Sequence, residues 1–158
     1  CAAKPTPMTR LIASLFAAAF FLVQGAFAQL ESGPLEIDTG DSVHKFTVEL
    51  ANDPDEIRTG MMGRESMPPN AGMLFDFGEP RPASMWMKNT LISLDMLFIA
   101  PDGKVLAIAR NAVPGSLRTI GPGVPVKAVL ELNGGRAEAL GIEPGDIVQH
   151  ELFGNFGG

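Results

Sequence analysis

The sequence predicts a mainly β domain, a compact sandwich or barrel-like fold carrying one or two short helices. Three observations point to it. Short stretches alternate apolar and polar residues with a period of two, the pattern of a strand with one face on a core. Glycine and proline, 18 and 13 of the 158 residues, punctuate the junctions between those stretches. Helical signals are confined to two short segments, after Asp53 and around Arg136.

In chain order, the stretch from Met8 reads MTRLIASLFAAAFFLVQGAFAQ. Arg10 gives a positive n-region and Leu11 to Val23 an apolar h-region. Ala26-Phe27-Ala28 is an A-x-A peptidase site, so all three parts of a secretory signal peptide are present. The apolar run is short for a membrane span, so cleavage after Ala28 and no permanent anchor are expected. Residues 1–7, CAAKPTP, fit no targeting pattern and read as an upstream extension. The expected plan is extension and signal peptide over 1–28, a lead-in over 29–42, one β domain over 43–152 and a flexible tail over 153–158.

Val43 to Leu50 alternates His44, Phe46, Val48 and Leu50 with Lys45, Thr47 and Glu49, a half-buried strand. Asp53 can cap a helix with Pro54 at its first position and Glu56 in the capping-box place. Gly60 and Gly63 limit that helix to two or three turns. Gly72 to Phe77 alternates again, with Met73, Phe75 and Phe77 on one face, and Glu79 to Pro82 reads as a turn. Met85 to Lys88 reads as a strand with Met85 and Met87 on one face and Trp86 and Lys88 on the other. Leu94 to Ala100 and Lys104 to Arg110 are joined by Pro101-Asp102-Gly103, a hairpin signal. Asn111 to Gly123 is a long loop, Val124 to Leu132 a strand, and Arg136 to Gly141 at most a short helix. Asp146 to Leu152 reads as a last strand.

Cleavage after Ala28 removes Lys4 and Arg10, leaving 10 basic residues against 18 acidic ones and a formal charge of −8. Such a chain repels phosphate backbones, which argues against a nucleic-acid partner. Loss of Cys1 leaves no cysteine, so disulfides, thiol nucleophiles and thiolate metal sites are excluded. His44 and His150 are isolated, which argues against a zinc site. HExxH, GxSxG and GxxxxGK[ST] are all absent. An acidic, cysteine-free exported domain points to a periplasmic or secreted protein.

The polar cluster Trp86-Met87-Lys88-Asn89-Thr90 beside the apolar run from Leu91 to Ala100 draws the candidate site. Lys88, Asn89 and Thr90 offer an ammonium, an amide and a hydroxyl in one place, with Trp86 as an aromatic wall. Asn89 equally suits a turn, since asparagine tolerates left-handed geometry. Asp95 lies among Leu94, Met96, Leu97 and Phe98, where an unpaired carboxylate loses several kcal/mol of hydration. It reads as a general base or ligand acceptor, or, with more weight, as a structural partner for Lys88, Asn89 or Thr90. Glu131 is a second carboxylate that could converge on the cluster, and Arg64 could answer one of these acids. Seven methionines fall between Met61 and Met96. Thioethers suit Cu(I), and Met85 and Met87 could present two sulfurs on one face. Methionine also packs irregular cores, which is the more ordinary use and makes no cofactor the expectation.

The motifs GMMGR (60–64), GMLFDF (72–77), WMKNT (86–90), LDMLFIAPDG (94–103), VLELNGG (129–135) and GIEPGD (141–146), in this order, resemble the bacterial and archaeal family known as domain of unknown function 192. The resemblance spans about residues 43–152. It implies a small, mostly β domain, often exported, with no activity established and no catalytic residue to carry over. Met61 stands where the family pattern usually has leucine.

The expectation is therefore a non-catalytic exported module that recognises a small ligand or a periplasmic partner protein. Its candidate residues are Arg64, Trp86, Lys88, Asn89, Thr90, Asp95 and Glu131. Two alternatives stand beside it. One is a hydrolase-like enzyme using Asp95 or Glu131 as acid or base with Lys88 as electrostatic stabiliser, favoured if the two carboxylates face each other across a cleft. The other is a copper-handling protein using the methionines.

Overall fold

The computed structural model describes residues 29–157. The signal peptide expected over 8–28 and the extension before it lie outside the described residues, as does Gly158. Seven strands and two short helices follow one another: β1 Glu31–Asp38, β2 Val43–Ala51, α1 Pro54–Thr59, β3 Ala71–Pro82, β4 Leu94–Ile99, β5 Val105–Ala112, β6 Pro125–Asn133, α2 Arg136–Ala139 and β7 Ile147–Gln149. The strands form one sheet in the order β5-β4-β6-β3-β2-β1-β7. All neighbours are antiparallel except β2 and β3, which run parallel and are joined through α1.

The sheet curls until its edges meet at one end. Lys104, just before β5, bridges Ile147 on β7. The Val148 N–H donates to the Gly103 carbonyl at 2.8 Å, and the Val105 N–H to the Asp146 carbonyl at 2.9 Å. Gly103 makes this approach possible: its φ is +91°, and a Cβ there would lie 2.3 Å from the Val148 oxygen. The outcome is a half-barrel, within the mainly β, barrel-like class that the alternation predicts.

Strand alternation sends side chains to two cores. Leu35, Ile37, Phe46, Val48, Leu74, Leu97, Leu130 and Val148 fill the inside of the curl, with Ala137 of α2 against them. Met73, Phe75, Met87, Met96, Phe98 and Val129 point to the outer face, where α1 and the loops cover them. Every residue of β4 is buried, as expected of a strand packed on both faces. The capping box forms as read: the Asp53 carboxylate accepts from the Asp55 and Glu56 N–H groups, and Glu56 reaches back to the Asp53 N–H.

Four expectations need correction. The lead-in expected over 29–42 ahead of the β domain is part of it: residues 31–38 form β1, with Leu35 and Ile37 fully buried. Gly33 and Pro34 obscured a strand that shows only two inward apolar residues. The turn expected over 79–82 is a continuation of β3 beyond a bulge, where the register shifts between Asp76 and Arg81. Met85 to Lys88 makes only an isolated bridge from Met85 to Ile120 rather than a strand, though its inward and outward alternation survives. The tail is held at Asn155, whose amide donates to the Val148 carbonyl at 3.0 Å and accepts from the His150 N–H at 3.1 Å.

Candidate functional site

On the outer face, a cavity of about 360 Å³ opens between the sheet, α1 and the segment 81–90. Its size lies within the range of small-ligand pockets. Phe75, Phe77, Met61, Met62 and Met85 form much of its wall. Glu131 belongs to the same lining and is 3% exposed.

Register explains why a glutamate is there. On β6, Leu130 and Leu132 point into the curl, so Glu131 points outward with Val129. Its cross-strand neighbours are Met73 on β3 and Met96 on β4, both fully buried. Neither thioether can neutralise a carboxylate. Among the described residues, the Glu131 Oε2 atom has no hydrogen-bond partner. Burial alone pushes its pKa up from 4.5 to about 8, so near neutral pH the group is mostly a carboxylic acid.

Three cations surround the opening: Arg58, Arg81 and Lys88. Arg58 is paired with Asp55 one turn earlier. Arg81 lies over the Phe77 ring, 4.5 Å from its centroid, and Lys88 over the Trp86 ring at 5.0 Å. Neither Arg81 nor Lys88 forms an ion pair among the described residues. Trp86 is 44% exposed, whereas Thr90 is buried in the lining. The Thr90 hydroxyl donates to the Lys88 carbonyl at 3.3 Å. Asn89 sits at φ +54° and closes the turn, with its carbonyl accepting from the Gly63 N–H at 2.9 Å.

Asp95 is elsewhere. It faces the inside of the curl, paired in register with Leu132. Its Oδ1 accepts from the N–H groups of Asn111 at 2.8 Å and Gly135 at 3.1 Å, and its Oδ2 from that of Ala137 at 2.9 Å. Helix α2 has glycine at its N-cap and no cap of its own, so Asp95 supplies the capping oxygens from a strand 40 residues away in sequence. The partners expected from sequence, Lys88, Asn89 or Thr90, are replaced by backbone donors. Arg64 forms a two-pronged ion pair with Glu49, on neither carboxylate of the expected site. Asp95 and Glu131 do not face each other across a cleft, as the enzyme alternative would favour, because the two lie on opposite faces of the sheet. Met87 is fully buried in the outer core, so Met85 and Met87 do not present two accessible sulfurs.

A family model described as "Uncharacterized ACR", the domain of unknown function 192, matches residues 35–150. The chain belongs to this family. Among solved structures, a candidate transcription regulator from Sinorhizobium meliloti 1021 is 47% identical, with a TM-score of 0.77, covering 78% of this chain and 97% of its own. A protein of unknown function from Novosphingobium aromaticivorans DSM 12444 is 38% identical, with a TM-score of 0.75, covering 91% of this chain and 100% of its own. No curated protein matches.

The motifs that carry the resemblance to the domain of unknown function 192 thus divide in the structure. Asp95 and Gly134-Gly135 hold α2 on the half-barrel, while Trp86, Lys88, Thr90 and Glu131 gather at the cavity. Sequence reasoning missed Arg81 and Arg58 as rim residues. Arg81 was hidden in a segment that looked like a turn. The signal that could have found it is its spacing from Phe77 across a strand bulge.

Proposed function

We propose that this chain is an exported, non-catalytic binding module that takes a small ligand in the cavity over Glu131. One observation carries the reading. A buried carboxyl without a partner lies against a cavity instead of being matched within the core, and buried polar groups are otherwise almost always satisfied. A ligand that hydrogen-bonds Glu131 would supply the missing partner. Beside Glu131 the cavity lining holds no second carboxylate and no histidine, which supports binding over catalysis.

The description of the Sinorhizobium meliloti protein as a regulator is not carried over. With 12 basic residues against 18 acidic ones, this chain favours no nucleic-acid partner. Export rests on the three-part pattern at residues 8–28. Among the described residues no helix is long and apolar enough to cross a membrane. N-terminal sequencing of protein recovered from the periplasm or medium should begin at Gln29. Recovery only from the cytoplasm with residues 8–28 intact would overturn this part.

The binding reading is tested by a fragment-library titration of the ¹⁵N-labelled domain. Amide shifts should cluster at Thr59, Gly60, Lys88, Thr90 and Glu131 and saturate. Shifts that scatter, or that centre on the Glu49–Arg64 side, would contradict it.

A further inference from the structure

The charges around the cavity say what kind of ligand fits. We propose that it takes a small organic carboxylate with a flat apolar body, its anionic end at Arg81 and Lys88 and a hydrogen-bond acceptor at its inner end against Glu131. This rests on the reading of the cavity as a binding site and adds the ligand's chemistry.

Three observations carry it. The first is charge placement. The chain is acidic overall, yet the charged side chains lining the mouth of the cavity are the cations Arg58, Arg81 and Lys88. Of these only Arg58 has a carboxylate partner, Asp55, and the one carboxyl in the lining lies at the buried end. Arg81 and Lys88 have no carboxylate of their own, so an anion is the missing counter-charge. The second is the use of the aromatic rings. A site for an organic cation needs aromatic faces free to receive it. Here the Phe77 and Trp86 faces already carry Arg81 and Lys88. A cationic ligand would compete with both and meet their repulsion. The third is the buried end. Glu131 sits between Met73 and Met96 with no cation beside it, so it serves as a hydroxyl donor toward a carbonyl or ether oxygen. The Phe75 ring and the thioethers of Met61 and Met62 suit a flat body between the two polar ends.

Trp86 is the only tryptophan of the chain and stands at the opening, so its fluorescence reports occupancy. Three probes of one shape separate the possibilities: 4-acetylbenzoate, its methyl ester and 4-acetylbenzylamine. The carboxylate should change Trp86 emission saturably, bind several-fold tighter than the ester and weaken as salt rises. The Arg81→Ala, Lys88→Ala double variant should lose roughly five- to twentyfold for the carboxylate and little for the ester. Glu131→Leu should weaken acetylbenzoate about two- to tenfold while leaving plain benzoate unchanged. Saturable binding of the amine in preference to the carboxylate would overturn this assignment and leave the cavity a binding site. Failure of all three probes to saturate would overturn both.

Discussion

Asp95 and Glu131 lie on adjacent strands and on opposite faces of one sheet. Asp95 registers with Leu132, and Glu131 with Met96, one residue out of step. Side chains alternate along a strand, so this single step decides their roles. One carboxylate accepts three backbone N–H groups inside the curl, and the other meets a cavity outside it with no partner.

The first consequence concerns Asp95. Asp95→Ala orphans three backbone donors at once, that of Ala137 fully buried and those of Asn111 and Gly135 partly so, and should destabilise the domain by about 3–5 kcal/mol. Asp95→Asn turns an amide group toward one of those donors and should cost about 2–4 kcal/mol. Urea unfolding measures both. The folded fraction of Asp95→Asn should bind cavity fragments as the parent does, and weakened binding without lost stability would return Asp95 to the site.

Glu131 sets a pH dependence of stability. Its folded pKa, about 8, stands above the ordinary 4.5. Between these values the unfolded chain has lost the proton that the folded chain keeps, so stability falls as pH rises. The contribution is fully present below 4.5 and lost through pH 8, a change on the order of 5 kcal/mol. Glu131→Gln should flatten the decline across pH 5 to 8 in urea unfolding. His150 acts in the opposite sense, because burial lowers its pKa and stability is lost as pH falls below its ordinary 6.5. That effect is common to parent and variant and cancels between them.

Helix α1 forms one wall of the cavity through Ile57, Arg58 and Thr59 and buries no residue fully. So short a helix depends on its cap. Asp53→Ala should cost about 1 kcal/mol and loosen that wall. Hydrogen exchange should accelerate at Ile57 and Gly60, whose N–H groups donate within α1 at 2.9 and 2.8 Å, with little change at β4.

The tail closes the half-barrel edge. Asn155 spans the Asp102 and Val148 carbonyls and the His150 N–H. Asn155→Ala should lower stability by about 1–2 kcal/mol. Gly103→Ala should cost more than about 2 kcal/mol, from both the left-handed φ and the Val148 oxygen. Thermal unfolding checks both, and an unchanged Tm for Asn155→Ala would mean that the tail does not support the edge.

Much of this fold is written in local pattern. Phe46 and Val48, Met73 and Phe75, and the Asp53–Glu56 box can be read from spacing because their causes lie within a few residues. Strand β1 could not, since Leu35 and Ile37 become a strand only when β2 and β7 flank them. Bringing the Trp86–Thr90 turn to Glu131 likewise depends on register across β3 and β6. In sequence Asp95 and Glu131 look alike, because both are acids in apolar strands. Only the one-residue offset between β4 and β6 separates them, and composition carries no trace of it.

The most direct measurement is a crystal structure of the domain soaked with 4-acetylbenzoate. Density is expected in the cavity, with the ketone oxygen within hydrogen-bond distance of Glu131 and the carboxylate at Arg81 and Lys88. Density for the probe only at other surfaces, with Glu131 contacting ordered water alone, would contradict it.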